Sequence, residues 1–191
     1  MKRSTLIVIS GASVLAAASA AILPAAAAPL GNGNGNGGGR ATTSQTAQAT
    51  TLTEAQKAQL AFWVEEEKLA HDLYLALAAQ YPSLSQFSRI ANSESQHMTA
   101  VQGLMSTYGV ADPTVGQAPG VFVNAELSAL YTQLLNSATS PDAALAAGAA
   151  VERKDIADLT AAKATALPAD VLRVVNAQIK ASQGHLRAFT R

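Results

Sequence analysis

Cysteine is absent from all 191 residues, which excludes disulfide bonds and thiolate metal ligands. Any metal ion must therefore be held by oxygen and nitrogen donors, and stability must come from helix packing. Charged residues are also few, at 14%, and 13 basic residues balance 13 acidic ones. Because the chain has no net charge to attract nucleic acid or anionic lipid, we expect no nucleic-acid partner.

Several catalytic patterns are missing as well. The sequence has no serine, histidine and aspartate arrangement around a recognisable nucleophile motif, no phosphate-binding loop, and no alternation of aromatic with basic residues. These absences argue against a hydrolase and against a nucleotide-binding protein.

The first 28 residues have the order of a secretory signal peptide. A basic start, Met1 to Arg3, precedes an apolar stretch from Leu6 to Leu23 and an alanine-rich run that ends at Ala28. The apolar stretch is also long enough to be considered as a membrane anchor. The short basic start and the Ala-x-Ala ending favour cleavage near Ala27 or Ala28. We therefore expect a secreted or cell-envelope protein with no membrane attachment after cleavage.

Residues 29–52 are rich in glycine, asparagine and threonine, a composition that has little to bury, and they are predicted to be a flexible linker. Residues 53–191, about 140 in number, suit one compact domain with a single core.

Four long segments of this domain have helical periodicity and a start signal for each helix. They begin near residues 53, 83–85, 140 and 168, and the first two end near residues 80 and 109. A shorter helix is predicted from about Asn124 to Leu135, in the connection between the second and third long helices. Since no segment alternates like a strand, the sequence predicts an all-α bundle of four helices with a short extra helix in a crossover connection.

Glutamates interrupt the apolar seams of three of these helices. Glu67, Glu94 and Glu152 each occupy a position where leucine would pack best. Burying an ionised carboxylate without a partner costs several kcal/mol, or forces it to take up a proton. These three residues therefore indicate a compensating group, which is either a bound metal or a buried hydrogen-bonded polar network.

Histidines accompany the glutamates at helical spacing. Glu94 and His97 lie one turn apart on one face, where both can reach a single ion. In di-metal carboxylate bundles two helices each supply a glutamate and two each supply a Glu-x-x-His pair. The fourth helix here offers only His185, because Ser182 stands three residues before it. Asp155, one turn after Glu152, could replace the missing carboxylate.

Residues near these candidates receive more ordinary interpretations. Glu65 and Glu66 are expected to face solvent and to pair with Lys68 or its neighbours. His71 is expected on the surface or beside the ligands. Tyr74 is expected in the core, where its hydroxyl is a candidate hydrogen-bond donor to a ligand.

Four stretches carry a resemblance to a known family. They are Glu65 to Tyr74, Glu94-Ser95-Gln96-His97-Met98, Gly148 to Leu159, and Ser182 to Phe189. Together they resemble the DUF2202 family, over essentially residues 53–191, and through it the ferritin-like group. The resemblance implies a ferritin-like four-helix bundle with a di-iron carboxylate centre.

The ligands that the resemblance implies are Glu67, Glu94, His97, Glu152 and His185, with Asp155 as a further candidate. Ser182 departs from the group's pattern in the fourth helix. Donors of this kind suit iron, with manganese or zinc as the other candidates.

Two functions follow as hypotheses. In the first, two ferrous ions bridged by Glu94 and Glu152 react with dioxygen or peroxide, in oxidoreduction or iron handling. In the second, an exported helical module binds one structural metal or none and has a surface or partner-binding role without catalysis. The sequence leaves the number of associated chains open.

Overall fold

The computed structural model of this chain describes residues 51–191. The predicted signal peptide and nearly all of the predicted linker lie outside the described residues, so both stay predictions. The described part forms five α-helices and no strand, which confirms an all-α fold with a short helix before the last two long ones. In chain order they are α1 (Glu54–Gln80), α2 (Gln86–Tyr108), α3 (Ala125–Ser137), α4 (Pro141–Ala162) and α5 (Ala169–Phe189). None of the helices in residues 51–191 is both long enough and apolar enough to cross a membrane.

Local chemistry sets most of the helix ends. Thr53 caps α1 in a capping box, where Gln56 accepts a hydrogen bond from the Thr53 N–H and donates its own N–H to the Thr53 hydroxyl. Ser140 caps α4 directly before Pro141, which stands where a helix needs no N–H. Gly109 ends α2 with a positive φ of 64°, a conformation that glycine adopts without strain.

The helices pack so that α1 and α2 share one long contact and α4 and α5 share another. Contacts of α2 with α5 and of α1 with α4 join the two pairs, and α3 packs against α1 and α4. Helix α1 is therefore covered by three neighbours, and almost every side chain from Leu60 to Tyr74 is buried. Because three helices cover α1, several of its polar side chains are buried as well as its apolar ones.

The apolar core has two clusters. One surrounds Tyr74, Phe87 and Phe189, and the other surrounds Trp63 and Leu159. On each of α1, α2, α4 and α5, at least one buried polar residue lies between members of the first cluster and members of the second. A polar layer thus crosses the middle of the core.

The connection between α2 and α3 is held to α1 by buried polar contacts. Lys68 donates hydrogen bonds to Asp72 and to the Ala118 carbonyl (2.9 Å), and Asp72 accepts one from the Gly120 N–H (2.9 Å). Glu65 accepts hydrogen bonds from the backbone N–H groups that lead into α3. These contacts fix the position of α3 beside the polar layer.

Candidate metal centre

The three seam glutamates lie together in the polar layer. Glu67 of α1, Glu94 of α2 and Glu152 of α4 are 3%, 2% and 2% exposed, which confirms the prediction that they are buried. His97 of α2 and His185 of α5 reach the same place and are largely buried. The structure therefore brings together five of the six residues that the sequence proposed as ligands.

These five residues form two triads that could each hold a metal ion. One triad is Glu67, Glu94 and His97, and the other is Glu94, Glu152 and His185, with the ligand atoms of each triad within 4.8 Å of one another. Glu94 belongs to both triads and divides its two oxygens between the histidines. Its Oε2 lies 2.7 Å from His97 Nδ1, and its Oε1 lies 2.8 Å from His185 Nδ1.

The outer glutamates complete a row that alternates carboxylate with imidazole. His97 Nδ1 lies 3.2 Å from Glu67 Oε2, and His185 Nδ1 lies 3.6 Å from Glu152 Oε1. The two imidazole rings stack with their centroids 5.7 Å apart. Both histidines thus present the same ring nitrogen to the carboxylates, and Glu94 lies in the centre.

Unpaired buried atoms in the second triad fit a bound cation. Glu94 Oε1 and His185 Nδ1 are close, but their orientation is not that of a hydrogen bond, and neither has another hydrogen-bond partner among residues 51–191. Leaving a buried polar atom without a partner costs about 1–3 kcal/mol. A cation can accept lone pairs from Glu94 Oε1 and His185 Nδ1 at once. A shared proton would need hydrogen-bond geometry, which these two atoms do not have.

The surroundings lower the pKa of one glutamate of the site and raise the pKa values of the other two glutamates and of both histidines. Burial raises the pKa of Glu94, but the contacts with His185 and His97 outweigh it and lower the value to about 2. At Glu152 burial dominates and raises the pKa to about 7, and burial also raises the pKa of Glu67 well above its usual range. Burial lowers the histidine pKa values, yet the adjacent carboxylates raise them to about 10 for His97 and about 9 for His185. Protons therefore compete with a metal ion for the two imidazoles.

Tyr74 supports Glu152 from the apolar side of the site. The Tyr74 side chain is fully buried, as predicted, and its hydroxyl donates a hydrogen bond of 2.7 Å to Glu152 Oε1. Burial and the charge of Glu152 raise the pKa of this hydroxyl, so it stays a donor. The ring packs against Phe87 and Phe189, and a Cβ on Gly148 would lie 3.0 Å from the Phe189 ring. Glycine at position 148 therefore permits the packing that orients Tyr74.

Asp155, the sixth proposed ligand, lies beside the triads but belongs to neither. The Ser182 hydroxyl donates a hydrogen bond of 2.6 Å to Asp155 Oδ2. Burial raises the pKa of Asp155 to about 6, although the bond from Ser182 opposes the shift. Ser182 of α5 stands where the bundle pattern has a glutamate, and its hydroxyl holds the Asp155 carboxylate of α4.

Two expectations for α1 were wrong. Glu65 and Glu66 are buried, with 4% and 7% exposure, because α3 and α4 cover the faces of α1 that a single-seam helix would leave in solvent. Glu66 Oε1 pairs with Lys154 of α4 at 2.6 Å, and Lys68 pairs with Asp72 instead of with either glutamate. The sequence gives little indication of this burial, because the apolar pattern of one helix does not reveal how many other helices pack against it.

The remaining histidine lies away from the triads. His71 is partly buried, and its Nδ1 contacts Asp72 Oδ1 at 2.9 Å, on the side of α1 that contacts the connection between α2 and α3. It can therefore serve as a matched control for the two histidines of the site.

Comparison with known proteins places this chain in a family. The model of the family described as "Uncharacterized protein domain (DUF2202)" matches residues 56–191, so the chain belongs to DUF2202, as its motifs indicated. It is similar to Uncharacterized protein MJ0754 of Methanocaldococcus jannaschii, with 38% identity over 141 residues, which are 73% of this chain and 76% of that protein. The crystal structure of hypothetical protein MJ0754 aligns with a TM-score of 0.69, covering 72% of this chain and 79% of that one.

Proposed function

We propose that this DUF2202 protein is a ferritin-like four-helix bundle of α1, α2, α4 and α5 that binds two metal ions, one at each triad. The observation that carries the proposal is the shared Glu94, which offers one oxygen beside each histidine. Carboxylate and imidazole donors from facing helices are the usual ligands of such bundles. The N-terminal segment supports export as a further part of the proposal.

Charge balance favours two ions over one. Four carboxylates surround the proposed centre: Glu67, Glu94 and Glu152 are buried, and Asp155 is half-buried. With neutral histidines, two divalent ions cancel their four negative charges, whereas one ion leaves two charges in the core. Glu66 lies outside this count, because burial raises its pKa well above the usual range and its Oε1 pairs with Lys154 of α4.

We infer iron as the metal, with manganese or zinc as the alternatives, because the donors are oxygen and nitrogen with carboxylates in excess. Two ferrous ions would supply the two electrons, and the solvent the two protons, that reduce one hydrogen peroxide molecule to two waters, which suits oxidoreduction or iron handling. The protein's part is to hold the ligands: Tyr74 fixes Glu152, and Ser182 fixes Asp155.

Elemental analysis of the purified protein after anaerobic loading with ferrous iron tests the proposal. We expect about two iron equivalents in the wild type and a large loss in the Glu94→Ala/His97→Ala variant. His71→Ala is the control, and it should keep both equivalents. Less than a tenth of an equivalent of iron, manganese or zinc in the wild type would contradict the proposal.

Ser182 supports a second candidate, in which the bundle is an exported module with a single structural metal or none. A wild type with one equivalent that chelator cannot remove without unfolding the chain would favour a structural ion. An unchanged melting temperature with chelator would favour the metal-free form of this candidate.

A further inference from the structure

A small cavity lies between the proposed metal centre and the short helix α3. Its walls include Glu67, Glu94 and Glu152, so it adjoins both triads. Its volume is about 20 Å³, whereas a single water needs roughly 10–15 Å³. The cavity therefore has room for one very small molecule and not for an organic substrate.

Helix α3 supplies the outer wall of this cavity. Among the helices of residues 51–191, α3 packs against α1 and α4 and against neither α2 nor α5, so it covers the groove between α1 and α4 from outside. Two leucines of α3 line the cavity, namely Leu127, which is buried, and Leu130, which is half-buried. Because Leu130 is part of the cavity wall and is also partly exposed, it lies at the boundary between the cavity and the solvent.

The chemistry of this outer wall is that of hydrocarbon. Leu127 and Leu130 have no side-chain donor or acceptor, so α3 offers a ligand no side-chain hydrogen bond at these positions. What the two leucines can select is the size of a ligand, since one methylene too many in a closely packed apolar site weakens binding by about tenfold or more.

The proposed centre can take a ligand from outside the protein. Each triad offers one ligand atom from each of three residues. Iron, manganese and zinc take about four to six ligands, so an outside ligand can complete the coordination of each ion. The cavity adjoins the carboxylates that would hold both ions, and a molecule inside it is therefore next to the metals.

We propose that Leu130 of α3 sets the size limit for ligands that reach the metal centre, admitting those of about two heavy atoms and excluding larger organic ones. The proposal rests on the proposed function, because the ligand binds at the metal ions. Applied to peroxide reduction, the limit admits hydrogen peroxide and excludes an organic hydroperoxide. Leu130 is therefore a specificity-determining residue.

Binding of two amines to the Co(II)-loaded protein tests the size limit without turnover, with visible absorbance as the readout. Hydroxylamine has the size of hydrogen peroxide, and O-tert-butylhydroxylamine presents the same amino donor on the body of tert-butyl hydroperoxide. We expect the wild type to bind hydroxylamine only, and Leu130→Ala to bind O-tert-butylhydroxylamine at least about tenfold more tightly than the wild type does. Leu135→Ala, at a half-buried leucine of α3 outside the cavity, should still exclude it.

Filling the cavity is the converse experiment. Ala70 of α1 belongs to the cavity wall, and Ala70→Val adds two methyl groups there. We expect hydroxylamine binding to weaken by about tenfold or more. Ala61→Val, at a half-buried alanine of α1 outside the cavity, should leave this binding unchanged. Hydroxylamine binding to Ala70→Val as tight as to the wild type would overturn the proposal, because the ligand would then reach the metals by another path.

Cobalt stoichiometry, measured on the same samples, separates this proposal from the proposed function. A wild type that takes up two cobalt equivalents and binds both amines with similar affinity overturns the size limit alone. A folded wild type that takes up no cobalt contradicts the proposed function, and the size limit with it.

Discussion

The Ser182 hydroxyl of α5 donates a 2.6 Å hydrogen bond to Asp155 of α4. Ser182 is three residues before His185, where the Glu-x-x-His pattern of di-metal bundles has its glutamate. Asp155 lies one helical turn after Glu152. Serine thus occupies that position in α5, and its hydroxyl holds a carboxylate of α4 that lies beside the two triads.

Removing that hydroxyl should destabilise the protein. Ser182→Ala leaves the half-buried Asp155 without its donor, and we expect a loss of about 1–3 kcal/mol in the free energy of unfolding, measured in urea with chelator present. A double-mutant cycle with Asp155→Asn isolates the pair. Strictly additive effects of the two substitutions would show that the bond contributes nothing.

Each site histidine should hold one metal ion. We expect His97→Ala and His185→Ala each to lower bound iron by about one equivalent, because each histidine belongs to a different triad. His71→Ala should keep the wild-type amount. Equal losses in all three variants would point to a general defect in folding and would count against separate triads.

The Tyr74 hydroxyl should affect metal affinity more than the fold. Tyr74→Phe removes the hydrogen bond to Glu152 but keeps the aromatic packing, so we expect about 10–100-fold weaker binding of the metal. Tyr108→Phe is the matched control, since Tyr108 donates in the same way to Asp170, outside the triads. Competition with a chromophoric chelator measures both affinities.

Stability without metal should fall as the pH rises. Histidines whose pKa is raised from 6.5 to about 9 and 10 stabilise the fold fully below pH 6.5 and lose that effect as the pH rises through 9 and 10. The pKa of Glu152 is raised from 4.5 to about 7, so this residue also lowers the stability as the pH rises from 4.5 to 7. Glu94, lowered to about 2, contributes stability above pH 4.5 that is lost toward pH 2.

In the presence of chelator we therefore expect the melting temperature to be highest near pH 5 and to fall toward pH 10. The metal-loaded protein should lack this fall, because metal binding needs deprotonated imidazoles and strengthens as protons leave. Parallel curves with and without metal would contradict the assignment of the histidines as ligands.

The connection between α2 and α3 should depend on one buried aspartate. Asp72→Ala removes the partner of Lys68 and of the Gly120 N–H, and leaves the Lys68 charge buried. We expect a loss of about 3–5 kcal/mol in unfolding free energy. Glu54→Ala, which breaks an exposed pair with Lys57, should cost less than about 1 kcal/mol in the same urea titration.

Many features of the fold can be predicted from short stretches of sequence. The starts of α1 and α4 and the end of α2 follow from Thr53, Ser140 and Gly109, because a cap acts within one helical turn. The burial of Glu67, Glu94 and Glu152 follows from their place in the apolar seams, since a helix face is set by its own periodicity.

Other features are outside the reach of such patterns. That Glu65 and Glu66 are buried depends on α3 and α4 packing on further faces of α1, and no local signal states how many neighbours a helix has. The hydrogen bond between Ser182 and Asp155 depends on long-range packing in the same way, because it joins α5 to α4.

The sequence alone therefore determined the helices, the buried carboxylates and the absence of sulfur ligands, because these depend on composition and on spacing along one chain. Only the tertiary structure decided that Glu94 lies between the two histidines and that Lys154 pairs with Glu66. Such pairings join residues from different helices, and the rotation and depth of each helix against its neighbours set them.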